Sequence, residues 1–283
     1  MPKPIHCKSK RTVKEPDNKI IFIGTGGGRV VMSNQSRTAG GFILKLPTLQ
    51  IHVDPGPGAL SGTSKTKIAP AKTDIIIATH EHTDHANDIN ALINAMTLDG
   101  VNKRGVLVSV KSVIDGTEDD IASVRNHYKR QLQDIFTVNK GDKVKINDLT
   151  ITATETRHDE TDCIGVRVEG PDVSIGYTSD TTYFKDLYKE FKGISVLIIN
   201  VLRPGSDRWK THMCTSDAIK LIDDVKPELA IINHFGQKMI NANPLLEARE
   251  IQKRTGVRTI AAQDGLSVNL EGIAQGRGVQ TTL

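Results

Sequence analysis

Short apolar runs recur through the first part of the chain: Ile20–Ile23, Gly41–Leu46, Gln50–Val53 and Ile75–Ala78. Their brevity and β-branched content predict strands. Between residues 84 and 98 the period changes. Ile89, Leu92, Ile93 and Met96 fall at i, i+3, i+4 and i+7, which is one face of a helix. Val106–Val110 reads as a further strand. Thr117 then reads as an N-cap, with Ile121, Val124, Tyr128 and Leu132 as the stripe of a second helix.

The next stretch is β-rich again: Val144–Ile146, Thr150–Thr154, Ile164–Val168 and Val173–Tyr177. A short helix is expected over 182–191. Ser195–Asn200 has the unbroken apolar character of a buried strand. Thr215 is expected to cap a helix with Ala218, Leu221, Ile222 and Val225 on one face. Leu229–Ile232 is another strand, Pro244 suits the first helical position after Asn243, and Val257–Ala261 is a late strand. Strands and helices alternate in both halves, with no linker between them. That order fits sheets covered by helices on their outer faces, in one α/β (α+β) domain spanning 19–283. Residues 1–18 are polar and rich in Pro and Lys, which predicts a loose arm.

Composition narrows the picture. A length of 283 residues is ample for a buried core, and 37% hydrophobic with 25% charged residues are globular values. The formal net charge of +4 and the pI of about 8.8 suit an anionic substrate without requiring one. Aromatic residues make up only 4%, which argues against a base-stacking nucleic-acid platform. The three cysteines, Cys7, Cys163 and Cys214, form no CxxC pair and are odd in number, so a reducing compartment is expected. No apolar run approaches the roughly 18 residues of a membrane span. The first residues carry no apolar signal core. A cytoplasmic protein with no membrane partner is the expectation.

Chemistry concentrates in residues 79–85, Thr-His-Glu-His-Thr-Asp-His. A metalloprotease helix needs His-Glu-x-x-His, but Asp84 stands where the second His is required. A strand-like run also leads into the segment. What remains is His80-x-His82-x-Asp84-His85. In an extended segment His80 and His82 project to the same side and can share one ion. As the chain turns into a helix, Asp84 and His85 can face a second. Imidazole and carboxylate without thiolate suit zinc, with manganese or iron as alternatives. Further candidates end strands: His158 after Thr150–Thr154, Asp180 after Val173–Tyr177, and His234 after Leu229–Ile232. Loops at the ends of rigid strands are where function collects. Taken alone, the first cluster can also be read as a solvated polar loop.

This ordered set, HxHxDH followed by His, Asp and His, resembles the metallo-β-lactamase superfamily from about Ile20 to about Leu270. The resemblance implies a four-layer αββα sandwich with its site at one edge between the two β-sheets. It implies that His80, His82 and His158 hold one metal, that Asp84, His85 and His234 hold another, and that Asp180 bridges them. Two divalent cations about 3.5–4 Å apart would bind a bridging water and make hydroxide the nucleophile. Asp84 would orient it or accept its proton. Glu81 is expected to point away.

The segment Gly24–Arg29 fails the dinucleotide fingerprint, because Arg29 stands where Gly or Ala is needed. It resembles instead the first strand and turn of the ribonuclease Z and cyclic-phosphodiesterase branches. "IHVDPGPG" resembles the family's Asp-Gly turn, with Asp54 shaping the turn near the site. His212 stands ahead of a helix, where those branches carry a histidine that protonates the leaving oxygen. A loop histidine is the plainer reading. Arg203 and Arg208 lie close in sequence and can bind phosphate or carboxylate, or simply be solvated.

The chain also departs from ribonuclease Z. The His-Glu-Ala-Thr segment of that branch is replaced by Asn200-Val201-Leu202-Arg203, and no long Gly/Pro-rich arm is present. Residues 99–143 are mixed in charge and read as helical. The expectation is therefore hydrolysis of a phosphodiester, small and cyclic or derived from nucleic acid, without tRNA maturation. A thioester, lactone or lactam hydrolase and a non-catalytic metal-binding regulatory protein stand as alternatives. A homodimer is expected by analogy only.

Overall fold

A computed structural model describes residues 18–159, 162–171, 173–273 and 281–282. The arm expected over 1–18 lies outside the described residues except for Asn18, which is buried. The first half runs β1 (Lys19–Phe22), α1 (Gly28–Asn34), β2 (Phe42–Lys45), β3 (Gln50–Val53), α2 (Ala59–Lys65), β4 (Ile75–Ala78), α3 (Thr83–Ala86), α4 (Ile89–Thr97), β5 (Val106–Ser109), α5 (Lys111–Asp115), α6 (Asn126–Lys129) and β6 (Asp134–Thr137). The second half runs β7 (Lys143–Ile146), β8 (Leu149–Glu155), β9 (Ile164–Gly170), β10 (Val173–Tyr177), α7 (Leu187–Glu190), β11 (Val196–Arg203), β12 (Met213–Cys214), α8 (Thr215–Val225), β13 (Leu229–Asn233), α9 (Gln237–Ala242), α10 (Pro244–Thr255) and β14 (Thr259–Ala261). The chain then returns to the first sheet through β15 (Ser267–Asn269) and β16 (Thr281–Thr282).

The first sheet has the order β16-β15-β1-β2-β3-β4-β5-β6, parallel from β3 to β6. The second has the order β14-β13-β11-β10-β9-β8-β7, parallel from β10 to β14. Side-chain alternation explains how they stack. Ile20 and Phe22 enter the large core shared with Ile151, Val166 and Ile175 of the other sheet. Ile21 and Ile23 turn to a small outer cluster with Ile43 and Ile68. The apolar run of β11 serves two faces. Val196 and Ile198 join the core between the sheets, while Leu197, Ile199 and Val201 join a second core with Leu221, Met239 and Ile251 of α8, α9 and α10. The layers are helix, sheet, sheet, helix. No helix among the described residues is long and apolar enough to cross a membrane.

Three expectations are corrected. No helix spans 117–132. Thr117 Oγ1 does accept the backbone N–H of Asp120 at 2.9 Å, as a cap would, but the chain then closes back on Gly116. Ile121 is left 94% exposed, and only the short α6 is helical there. The region 99–143 holds the expected strand β5, the short helices α5 and α6, and a further strand, β6. The helix expected over 84–98 is split into α3 and α4, where the Asp88 backbone N–H leaves the helical ladder and donates to Pro55 C=O at 2.9 Å. Thr215 is the first residue of α8 and not its cap; its hydroxyl bonds Glu247 of α10. Pro244 opens α10 as expected, and Asn243 caps it, accepting from Leu245 N–H at 3.1 Å. The sequence gives no stripe for α1, in which only Val31 is buried.

Candidate metal centre

The ends of five strands converge at one edge of the sandwich. Asp54 follows β3, His80 and His82 follow β4, His158 follows β8, Asp180 follows β10 and His234 follows β13. Asp84 and His85 lie on the single turn of α3, and His212 immediately precedes β12. All seven residues proposed as ligands from the sequence come together. Their ligand atoms form overlapping groups, each within 4.8 Å: His80, His82 and His158; His80, His85 and Asp180; and Asp84, His85 and His234; a fourth group joins His158 and Asp180 to His212.

The orientation of the rings is set from outside. His85 Nδ1 lies 2.9 Å from Asp54 Oδ2, His158 Nδ1 donates to Thr211 C=O at 3.1 Å, and His80 Nδ1 meets Thr79 Oγ1 at 3.1 Å. On these three rings the outer nitrogen is engaged and Nε2 faces the centre, whereas His82 turns Nδ1 inward and the outer Nδ1 of His234 has no hydrogen-bond partner among the described residues. There the nitrogens crowd. His158 Nε2 is 3.2 Å from His82 Nδ1, and His85 Nε2 is 3.2 Å from His234 Nε2. His80 Nε2 is buried with no hydrogen-bond partner among the described residues. Converging imidazole nitrogens and an orphaned buried nitrogen fit a cation between them, since unpaired buried polar atoms are otherwise costly.

Asp180 stands at the middle. Asn200 Nδ2 donates to its Oδ1 at 2.7 Å. Its Oδ2 is left to five imidazoles: His85 at 3.2 Å, His234 at 3.4 Å, His212 at 3.7 Å, and His80 and His158 both at 3.9 Å. Asn200 also donates to Tyr177 OH, which donates to Asp54 Oδ2. A buried chain of hydrogen bonds thus joins the two carboxylates behind the site.

The electrostatics follow from burial. Burial, with His85 beside it, holds His80 well below the ordinary imidazole value. Burial and His158 lower His82. Both favour the neutral ring that binds a cation. Burial opposes charge on His85 too, but Asp180, Asp54 and Asp84 together hold it well above the ordinary value. Asp84 and Asp180 are held well below the carboxylate range despite burial, by His85 and His234. Burial pushes His212 down to about 4, with Asp180 opposing. Glu81 sits beside Ser112, away from the centre, raised by burial and by Asp120 and Asp162.

The glycine segment explains itself here. Gly28 N–H donates to Asp84 Oδ2 at 3.1 Å. Gly27 has an ordinary extended backbone, but a Cβ there would stand 2.3 Å from the His234 ring. Space, not backbone freedom, requires glycine. Gly27→Ala is expected to displace His234 and weaken metal binding about 10–100-fold. Isothermal titration of the metal-free variant checks this; unchanged affinity would show that His234 does not contribute. Three non-glycine residues at the site, Asp54, Ser179 and His234, have left-handed backbones with φ of 51°, 52° and 61°. Such strain gathers at functional sites.

A cleft of about 870 Å³ opens over Asp84 and Asp180. Arg203 lines it, together with Arg29, Lys238, Trp209 and His212. Arg208 is not among the lining residues; it pairs with the buried Asp217 of α8 at 2.9 Å. Sequence reasoning gave Asp54 only a turn-shaping role and missed Tyr177, Asn200 and Trp209. Asn200 offered a signal, as the lone polar side chain inside the apolar run of β11.

The model of the β-lactamase superfamily domain matches residues 50–235. An "uncharacterized protein" of Methanocaldococcus jannaschii is 39% identical, over 89% of this chain and 95% of its own. A UPF0173 metal-dependent hydrolase of Sulfolobus acidocaldarius is 26% identical, over 70% of this chain and 81% of its own. Among solved structures, the short form of human tRNase Z superposes with a TM-score of 0.67 at 16% identity, covering 89% of this chain and 99% of that one.

Proposed function

The chain belongs to the metallo-β-lactamase superfamily of metal-dependent hydrolases, and we propose that it cleaves a phosphodiester with the help of two divalent cations. The observation that carries this reading is the ring of imidazoles around Asp180 Oδ2, three of which, His80, His85 and His158, have their outer nitrogens tied. In this reading His80, His82 and His158 hold one cation, and Asp84, His85 and His234 hold the other. Asp180, whose Oδ1 is engaged by Asn200, would offer its other oxygen to them. Zinc suits the donor set best, with manganese or iron as alternatives. When bound, the cations lower the pKa of a water to supply the nucleophile and offset developing negative charge.

The chain's own residues do the rest. Asp84 Oδ2, steadied by Gly28 N–H, orients the nucleophile and takes its proton. Arg29, Arg203 and Lys238 line the cleft, and once cations offset Asp84 and Asp180 they would attract an anionic diester. His212, beside Asp180 and open to the cleft, delivers a proton to the leaving oxygen. A cleft that offers cationic side chains and a histidine beside Asp180 serves a phosphodiester better than a neutral lactone or thioester.

The purified protein is expected to carry about two cations per chain and to hydrolyse bis(4-nitrophenyl) phosphate in preference to thioester and lactone substrates. Chelation should abolish the activity. It should also lower the melting temperature by several degrees, since ligand at 100 times its dissociation constant contributes about 2.7 kcal/mol. Fewer than about one cation per chain, with none recoverable on reconstitution, would overturn the reading. Two cations with no turnover on any ester would favour a binding protein.

A further inference from the structure

Trp209 is the only tryptophan in the chain, and it is 45% exposed. It lines the cleft beside the candidate metal centre. An exposed indole at this place has no role in either core. The Arg203 guanidinium lies over its ring, 4.7 Å from the centroid. Arg203 is in turn held by Asp207 at 3.0 Å, and Lys238 holds the same Asp207 oxygen at 2.9 Å. The cation over the indole is therefore anchored, and it adds stability to that face.

The backbone aligns this pair with the chemistry. Trp209 and His212 form an antiparallel bridge. Directly opposed residues in such a bridge project to the same face, with Cβ atoms about 4.5–5.5 Å apart. His212 on that face reaches Asp180 Oδ2 at 3.7 Å. A flat group stacked on the indole would sit next to the reacting phosphate.

We propose that Trp209, braced by Arg203, is a stacking subsite for one nucleobase, so that the substrate is a small nucleotide-derived phosphodiester. The proposal rests on the phosphodiesterase reading of the cleft. A single indole holds a single base, which agrees with an aromatic content too low for a platform that reads a strand. The cleft volume suits a ligand of nucleotide size.

Two diesters with the same leaving group test it: thymidine 5′-(4-nitrophenyl phosphate) and methyl 4-nitrophenyl phosphate. Wild-type protein, metal-loaded, should favour the thymidine ester about tenfold or more in kcat/KM. The ratio should collapse toward one in Trp209→Ala and survive in Trp209→Phe. Adenosine 5′-monophosphate should quench the wild-type indole fluorescence, and ribose 5-phosphate should not. Hydrolysis of both esters with a ratio that Trp209→Ala leaves unmoved, and no quench, overturns the subsite while the phosphodiesterase reading stands. Hydrolysis of neither, with a quench specific to the base, supports the subsite and overturns the reading of the reaction. No hydrolysis and no quench overturns both.

Discussion

Asp180→Ala is expected to lower kcat at least about 10³-fold and to leave the chain with fewer than two tightly held cations. The expectation rests on what surrounds one oxygen. Oδ2 of Asp180 is the single negative atom within 3.9 Å of five imidazole nitrogens, and its partner oxygen is engaged by Asn200. Removing an outer partner of a ligand typically costs about 10–100-fold in affinity or activity. Removing a group that the proposed reading shares between two cations should cost more. Asp180→Asn separates charge from shape, since its side-chain carbonyl can still accept from Asn200. The measurement is metal content by elemental analysis beside steady-state kinetics, with circular dichroism to confirm folding. Full metal content and activity within tenfold of wild type would remove Asp180 from the bridging position.

How much of this was legible beforehand depends on how local each signal is. His80, His82, Asp84 and His85 lie within six positions, so their spacing alone suggests two ions. His158, Asp180 and His234 each end an apolar strand, which is a pattern a sequence displays. The residues that hold these ligands in place are different. Tyr177 reads as the last apolar residue of β10, and only the packed sheets bring its hydroxyl to Asp54, 123 positions away. Gly27 reads as part of a flexible turn. Its requirement comes from the His234 ring, which arrives from the other half of the chain.

The same limit explains the misread elements. The stripe Ile121, Val124, Tyr128 and Leu132 has helical spacing, and Val124 and Leu132 are indeed buried. Yet the three acidic residues after Thr117 fold into a tight turn, and spacing cannot distinguish that turn from a capped helix. β6 carries only half-buried and exposed side chains, so it lacks the apolar run that marks a strand.

His212→Ala is the second large effect. Loss of a general acid should lower kcat about 10²–10⁴-fold for a diester with an alkoxide leaving group. For 4-nitrophenolate, which departs without a proton, the loss should stay below about tenfold. The burial that pushes His212 down to about 4 bears on this argument. In the free protein the ring is neutral at pH 7 and has no proton to spare at its second nitrogen. A phosphodiester anion in the cleft changes that balance, because negative charge beside an imidazole raises its pKa. The competing assignment is that His212 joins His158 and Asp180 around a cation, since those three ligand atoms also lie within 4.8 Å of one another. The two roles part cleanly in His212→Ala. A proton donor leaves metal content at wild-type level and gives a loss that grows with leaving-group pKa. A ligand lowers metal content and slows both leaving groups equally.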